Sequence, residues 1–134
     1  MDFFFEIYDI YRRSGVGPAL DRFREEAFPE VDRLAMATAM ERGEREQMLR
    51  NTRYWFENEL RQYPSVDLDL DALGRHADRL VLVAGRLSRG YPAHRVSVEL
   101  GSRLVQPVVE LPGGHLGCMT HPVEFAAELE QALR

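Results

Sequence analysis

The sequence predicts an α/β fold, in which N-terminal helices are followed by a strand–helix–strand–helix unit with parallel strands. In the first half, apolar residues recur three and four positions apart, which is typical of amphipathic helices. The second half contains two short apolar runs, each closely followed by glycine, as in strands of a parallel sheet. Prolines stand where the intervening and final helices are expected to begin. We therefore predict a helical region at residues 1–77 and a βαβα unit at residues 78–134.

Helices account for the first half of the chain. The sequence 14–18 interrupts the first helix, and Pro18 is expected to open the second, because proline in a first turn breaks no helical hydrogen bond. A third helical region spans about 29–50, with Gly43 as an alternative break, and a fourth spans about 51–62. The apolar stripe of the first helix comprises Phe4, Ile7, Tyr8 and Tyr11.

Residues 66–71 alternate between apolar residues and aspartate. Alternation favours a strand, but aspartate is depleted in strands. We therefore predict a loop that leads into a short helix at residues 71–75.

Two strands are predicted in the second half. Residues 80–84 form a continuous apolar run before Gly85, which indicates a strand buried on both faces, and residues 107–111 form the second strand. Helices open at Pro92 and Pro122, so the strands are joined by a parallel crossover. The last helix is expected to turn four apolar side chains inward: Phe125, Ala126, Leu129 and Leu133.

So small a parallel sheet leaves a hydrophobic edge open, and such an edge is a template for association. We therefore expect upstream strands missing from this chain, a partner chain or self-association to complete the sheet.

The charge excludes several classes of function. The net charge of the 134 residues is −5, and the chain has no basic stripe of the kind that binds nucleic acid. All 17 cationic side chains are arginine, which excludes every mechanism that uses a catalytic lysine. No apolar run approaches the ~20 residues of a membrane span, and the first residues lack the basic start of a signal peptide. A cytoplasmic protein is expected.

The end of the second strand carries the most specific motif. Residues 107–115 read Pro-Val-Val-Glu-Leu-Pro-Gly-Gly-His, and residues 120–125 read Thr-His-Pro-Val-Glu-Phe. This segment resembles the C-terminal end of an α/β-hydrolase, where a Pro-Gly-x-His turn presents the triad histidine. Residues 78–85 resemble the strand before the triad acid, and residues 7–20 resemble part of the lid that precedes it.

The resemblance implies a partial α/β-hydrolase fold, with lid-like helices before its last strands. It implies serine-type hydrolysis of a small ester or amide, with His115 as catalytic base and with no cofactor or metal. The chain contains no Gly-x-Ser-x-Gly nucleophile elbow. The loop expected to carry the acid reads Arg86-Leu87-Ser88, in which only Ser88 is a candidate to hydrogen-bond the imidazole.

Two alternatives to a hydrolase with a missing segment stay open. One is a non-catalytic remnant or a module that binds a small apolar molecule, and Leu87 at the acid position favours it. The other is one subunit of a split hydrolase, completed by a chain that carries the serine.

Other residue groups have two interpretations each. The aromatic residues of the first helix either line an apolar substrate cavity or pack between helices, and the second interpretation also applies to the sequence 54–56. Cys118 is either structural or the nucleophile of a Cys-His pair with His115, and as the one cysteine it forms no internal disulfide. The remaining histidines lack metal-ligand spacing: His76, His94 and His121.

Overall fold

A computed structural model describes residues 2–42, 45–62 and 66–134, and these form eight α-helices and one two-stranded sheet. The predicted mixture of helices with parallel strands is confirmed. Gly43 and residues 63–65, on which the predicted helix breaks fall, lie outside the described residues. The elements in chain order are α1 (Asp2–Ser14), α2 (Val16–Ala27), α3 (Glu30–Arg42), α4 (Arg45–Asn58), α5 (Leu70–Gly74), β1 (Leu82–Gly85), α6 (Pro92–Leu104), β2 (Val108–Leu111), α7 (Gly117–Thr120) and α8 (Pro122–Ala132).

The chain divides into two compact units. The first comprises Met1–Glu26 and Met36–Leu68, and the second comprises Ala27–Ala35 and Asp69–Arg134. The second unit thus contains the start of α3, which the sequence groups with the N-terminal helices. No helix in the described parts of the chain has the length and apolarity needed to cross a bilayer.

The first unit has an apolar core made by α1, α2, the end of α4 and the turn that follows α4. Its fully buried side chains are Ile7, Ala19, Phe56 and Leu60. Aromatic rings extend this core, because the Tyr11 ring stacks on Phe56 with their centroids 4.8 Å apart. The rings of Trp55 and Phe23 form a T-shaped pair with their centroids 4.9 Å apart. Ring pairs of this kind stabilise a core beyond the area that they bury.

Two helix boundaries differ from the prediction. Helix α2 begins at Val16 rather than at Pro18, because Gly15 alone makes the break, with a φ of +85°. Pro18 lies within the first turn, where its missing N–H has no helical partner to lose. Helix α4 runs without interruption through residues 50 and 51, which the prediction assigned to separate helices.

The second unit is built on two parallel strands. Leu82 pairs with Val108 and Gly85 with Leu111, so the strands end together at one edge. Helix α6 covers one face, where Gly101 allows close approach: a Cβ there would lie 2.9 Å from a methyl group of Val108. Residues 66–69 have no regular structure and lead into α5, as the sequence predicts.

The prediction that the first strand is buried on both faces is wrong. Val81 is 41% exposed and Val83 is 37% exposed, whereas Ala84 is buried. Successive side chains of a strand point to opposite faces, so α6 covers only the face that includes Ala84. The last helix also buries less than predicted, because Ala126 is exposed and Leu133 is 64% exposed.

Candidate functional site

The turn after β2 presents His115 at the edge where both strands end. Pro112, Gly113 and Gly114 are buried, whereas the side chain of His115 is exposed. Gly113 has a φ of +82°, and a Cβ there would lie 2.6 Å from the Cα of Gly117. Both the positive φ and the lack of room for a Cβ require glycine at this position. The motif therefore fixes the backbone that carries the histidine.

The loop after β1 is packed tightly against this turn. The N–H of Leu87 donates a hydrogen bond to the carbonyl oxygen of Gly113, at 2.8 Å. A Cβ on Gly85 would lie 2.0 Å from the carbonyl oxygen of Gly114. Since backbone contacts backbone here, the strand ends are held in a fixed relation. Open sheets of parallel strands commonly bind ligands at this carboxyl edge.

A carboxylate far away in the sequence also holds the turn. The backbone N–H of His115 donates to Oδ2 of Asp32, at 2.7 Å. Asp32 is fully buried, and its Oδ1 has no hydrogen-bond partner among the described residues. The carboxylate packs so closely that a Cβ on Gly114 would lie 2.4 Å from Oδ2. Asp32 lies in the first turn of α3, where the helix dipole favours a negative charge.

The imidazole of His115 is open to reaction. It makes no hydrogen bond within the part of the chain that the structure describes, and its ring centroid lies 5.5 Å from that of Phe28. An exposed imidazole on a rigid turn has the access that a general base requires.

The loop after β1, in which the triad acid is expected, contains no acidic residue at positions 86–88. Arg86 instead donates to the carbonyl oxygen of Glu110 at 2.9 Å and to the Glu128 carboxylate at 2.7 Å. Leu87 is 51% exposed. Ser88 does not hydrogen-bond the imidazole, because its hydroxyl is buried and has no partner among the described residues.

An ion-pair cluster lies on the face of the sheet that α6 covers. Arg89 contacts both carboxylate oxygens of Glu110, and Nε2 of His94 lies 2.9 Å from Oε1 of Glu110. Hydrogen bonds from Arg89 and then from His94 lower the pKa of Glu110 to about 2. The His94 ring thus lies within hydrogen-bond distance of the Glu110 carboxylate.

The other nucleophile and metal candidates are not assembled into sites. Cys118 is exposed on α7, and no hydrogen bond joins it to His115 in the described chain. Nδ1 of His121 lies 2.9 Å from the hydroxyl of Thr120, and His76 is exposed. Nowhere in residues 2–42, 45–62 and 66–134 do three histidine, cysteine or acidic side chains converge on a position for a metal ion.

The aromatic residues follow the packing interpretation. Phe3, Phe4, Tyr8 and Tyr11 are partly buried against the core of the first unit, whereas Phe5 is 45% exposed. In the sequence 54–56, Trp55 and Phe56 join the same core and Tyr54 is 60% exposed. Because this packing does not test whether the helices bind a small apolar molecule, such binding stays a prediction.

A groove of about 690 Å³ lies between α5 and α6 in the second unit. Its lining combines apolar, acidic and basic side chains and does not include His115: Leu70, Asp71, Gly74, Arg75, Arg103 and Leu104. This mixture is unlike the mostly apolar lining of small-molecule sites.

The sequence singles out His115 as a candidate but does not indicate Asp32. The two residues are 83 positions apart, and an acidic residue in the first turn of a helix is ordinary. No motif or spacing marks Asp32; only the fold brings it to the turn. Comparison of the sequence with models of known protein families gives no match.

Proposed function

We propose that this chain is the histidine-bearing part of an α/β-hydrolase, in which His115 is the general base of serine-type hydrolysis of a small ester or amide. The observation that carries the proposal is the exposed imidazole on a buried Pro-Gly-Gly turn, at the carboxyl edge of two parallel strands. The lid-like helices and the motif at residues 107–125 add the family resemblance. We expect the hydrolase to act in the cytoplasm.

In this reaction His115 takes the proton from the serine hydroxyl as the oxygen attacks the substrate carbonyl. It then returns the proton to the leaving alcohol or amine, which leaves an acyl-enzyme. Water attacks the acyl-enzyme, with His115 again as base, and releases the acid and the free serine. The proposal assigns no step to a metal or cofactor.

The serine belongs to residues outside these 134, because the chain contains no nucleophile elbow. The exposed Val81 and Val83 support an additional element packed on the face of the sheet that α6 leaves open. Each strand of the two-stranded sheet also has an outer edge with which no other strand of the described residues pairs. Further strands that carry the elbow and the oxyanion hole would pair there, from the same polypeptide or from a partner.

A serine-reactive fluorophosphonate probe tests this function. The tagged chain is expressed in its source cell, the lysate is treated with the probe, and the chain is captured with whatever is bound to it. We expect a labelled serine on a segment joined to, or bound by, the chain. His115→Ala should slow labelling at least about 10³-fold, because a triad histidine activates the serine. His76→Ala, which removes an exposed histidine outside the turn, is the matched control.

Three results would contradict the proposal. Labelling that persists unchanged in His115→Ala would mean that His115 is not the base. Absence of labelling under every condition would favour the non-catalytic alternative. Labelling of a residue among these 134 would show that the nucleophile has been misassigned.

A further inference from the structure

A carboxylate lies beside His115 although the loop expected to supply one has none. Residues 86–88 contain no acidic side chain. Asp32 reaches the same turn from α3 and accepts the backbone N–H of His115 at 2.7 Å. The contact lies wholly within the second unit.

The second oxygen of the Asp32 carboxylate, Oδ1, is buried without a hydrogen-bond donor among the described residues. A buried carboxylate oxygen without a hydrogen bond is costly, and such exceptions are rare in folded proteins. The residue that already donates to Oδ2 also carries Nδ1, which is a donor when the neutral imidazole holds its proton there.

We propose that Asp32 is the positioning residue of His115, in place of the acid that the loop after β1 lacks; this rests on the function proposed above. In the proposed arrangement the His115 side chain turns away from Phe28, and its Nδ1–H donates to Oδ1 of Asp32. The carboxylate then holds the backbone N–H with one oxygen and the ring with the other. Nε2 is left without a proton, as a general base that accepts from serine requires.

The test measures the tautomer of His115 in the full chain, by NMR of ¹⁵N-labelled imidazoles at a pH where the ring is neutral. We expect the Nδ1–H tautomer in the unmodified chain. Asp32→Asn keeps an oxygen for the backbone N–H but puts an amide NH₂ in place of the second oxygen. The major tautomer should therefore shift to Nε2–H. Glu30→Gln, which neutralises an exposed carboxylate in the same turn of α3, is the matched control and should leave the tautomer unchanged.

A major Nε2–H tautomer in the unmodified chain would overturn the proposal without any variant, so a failure of Asp32→Asn to fold does not shield it. Retention of Nδ1–H in folded Asp32→Asn would also overturn it. The measurement needs neither serine nor substrate. A failure of the hydrolase proposal, seen with the probe, is therefore distinguishable from a failure of the role of Asp32.

Discussion

The two compact units bury different kinds of atoms. The first buries large apolar side chains, with Ile7, Phe56 and Leu60 fully inaccessible. The second buries Leu111 as well, but it also buries a carboxylate, a hydroxyl and a glycine turn, and it leaves Val83 of β1 exposed. The first unit is therefore held together by an apolar core. The second uses burial to fix the turn that carries His115.

The difference predicts opposite sensitivities to side-chain size. An apolar core loses stability when a large side chain is truncated, because contacts are lost and a cavity is left. A turn packed backbone to backbone loses stability when a single carbon is added, because nothing nearby is able to yield.

The largest expected effect is that of Phe56→Ala in the first unit. Removing this fully buried ring should lower the free energy of unfolding by about 3–5 kcal/mol. Tyr54→Ala, at a ring that is 60% exposed on the same helix, should change it by less than about 0.5 kcal/mol. Urea unfolding followed by circular dichroism measures both. Equal losses would show that the core of the first unit is misidentified.

The second effect is that of Gly85→Ala in the second unit. The added Cβ would lie 2.0 Å from the carbonyl oxygen of Gly114, so we expect a loss of about 1–3 kcal/mol or more. Gly17→Ala in α2 is the control, because a Cβ added there would meet no atom within 4 Å apart from its chain neighbours and the backbone of its own helix. Alanine there should stabilise the chain by up to about 1 kcal/mol. A Gly85→Ala variant as stable as the parent chain would contradict the close backbone contact.

The smallest effect is a pH dependence of the second unit. Ion pairing lowers the pKa of Glu110 from 4.5 to about 2. The folded state is therefore stabilised by this carboxylate above pH 4.5, and the stabilisation is lost as the pH falls toward 2. The effect is modest because the group is near solvent.

Glu110→Gln should flatten the fall in stability across this acid range, measured by urea unfolding at successive pH values. Glu124→Gln, at an exposed residue in the first turn of α8, should leave the fall unchanged. The ion-pair assignment fails if both variants show the same slope.

Sequence reasoning succeeded where a local pattern dictates structure. Pro92 and Pro122 begin helices as predicted, because proline suits the first helical turn. The turn before His115 was readable because Gly113 has a conformation that favours glycine. The start of α2 was misplaced because glycine and proline both signal a break, and sequence does not say which one makes it.

The remaining features depend on which elements meet. The exposure of Val83 depends on which elements pack on each face of the sheet. An apolar run in the sequence predicts a strand but does not indicate which of its faces is covered. The contact between Asp32 and the His115 turn joins residues 83 positions apart, so no local sequence pattern predicts it. The sequence thus predicts the motif that carries His115, whereas the contact with Asp32 that supports this turn is seen only in the folded chain.

The packing of Trp55 has an optical consequence. This residue is the one tryptophan of the chain, and its ring lies 4.9 Å from Phe23 and 5.0 Å from Phe56, within the first unit. Its fluorescence emission therefore reports the environment of the aromatic core in the first unit. The histidine turn has no indole of its own, so a tryptophan placed there would give the second unit a separate spectroscopic signal.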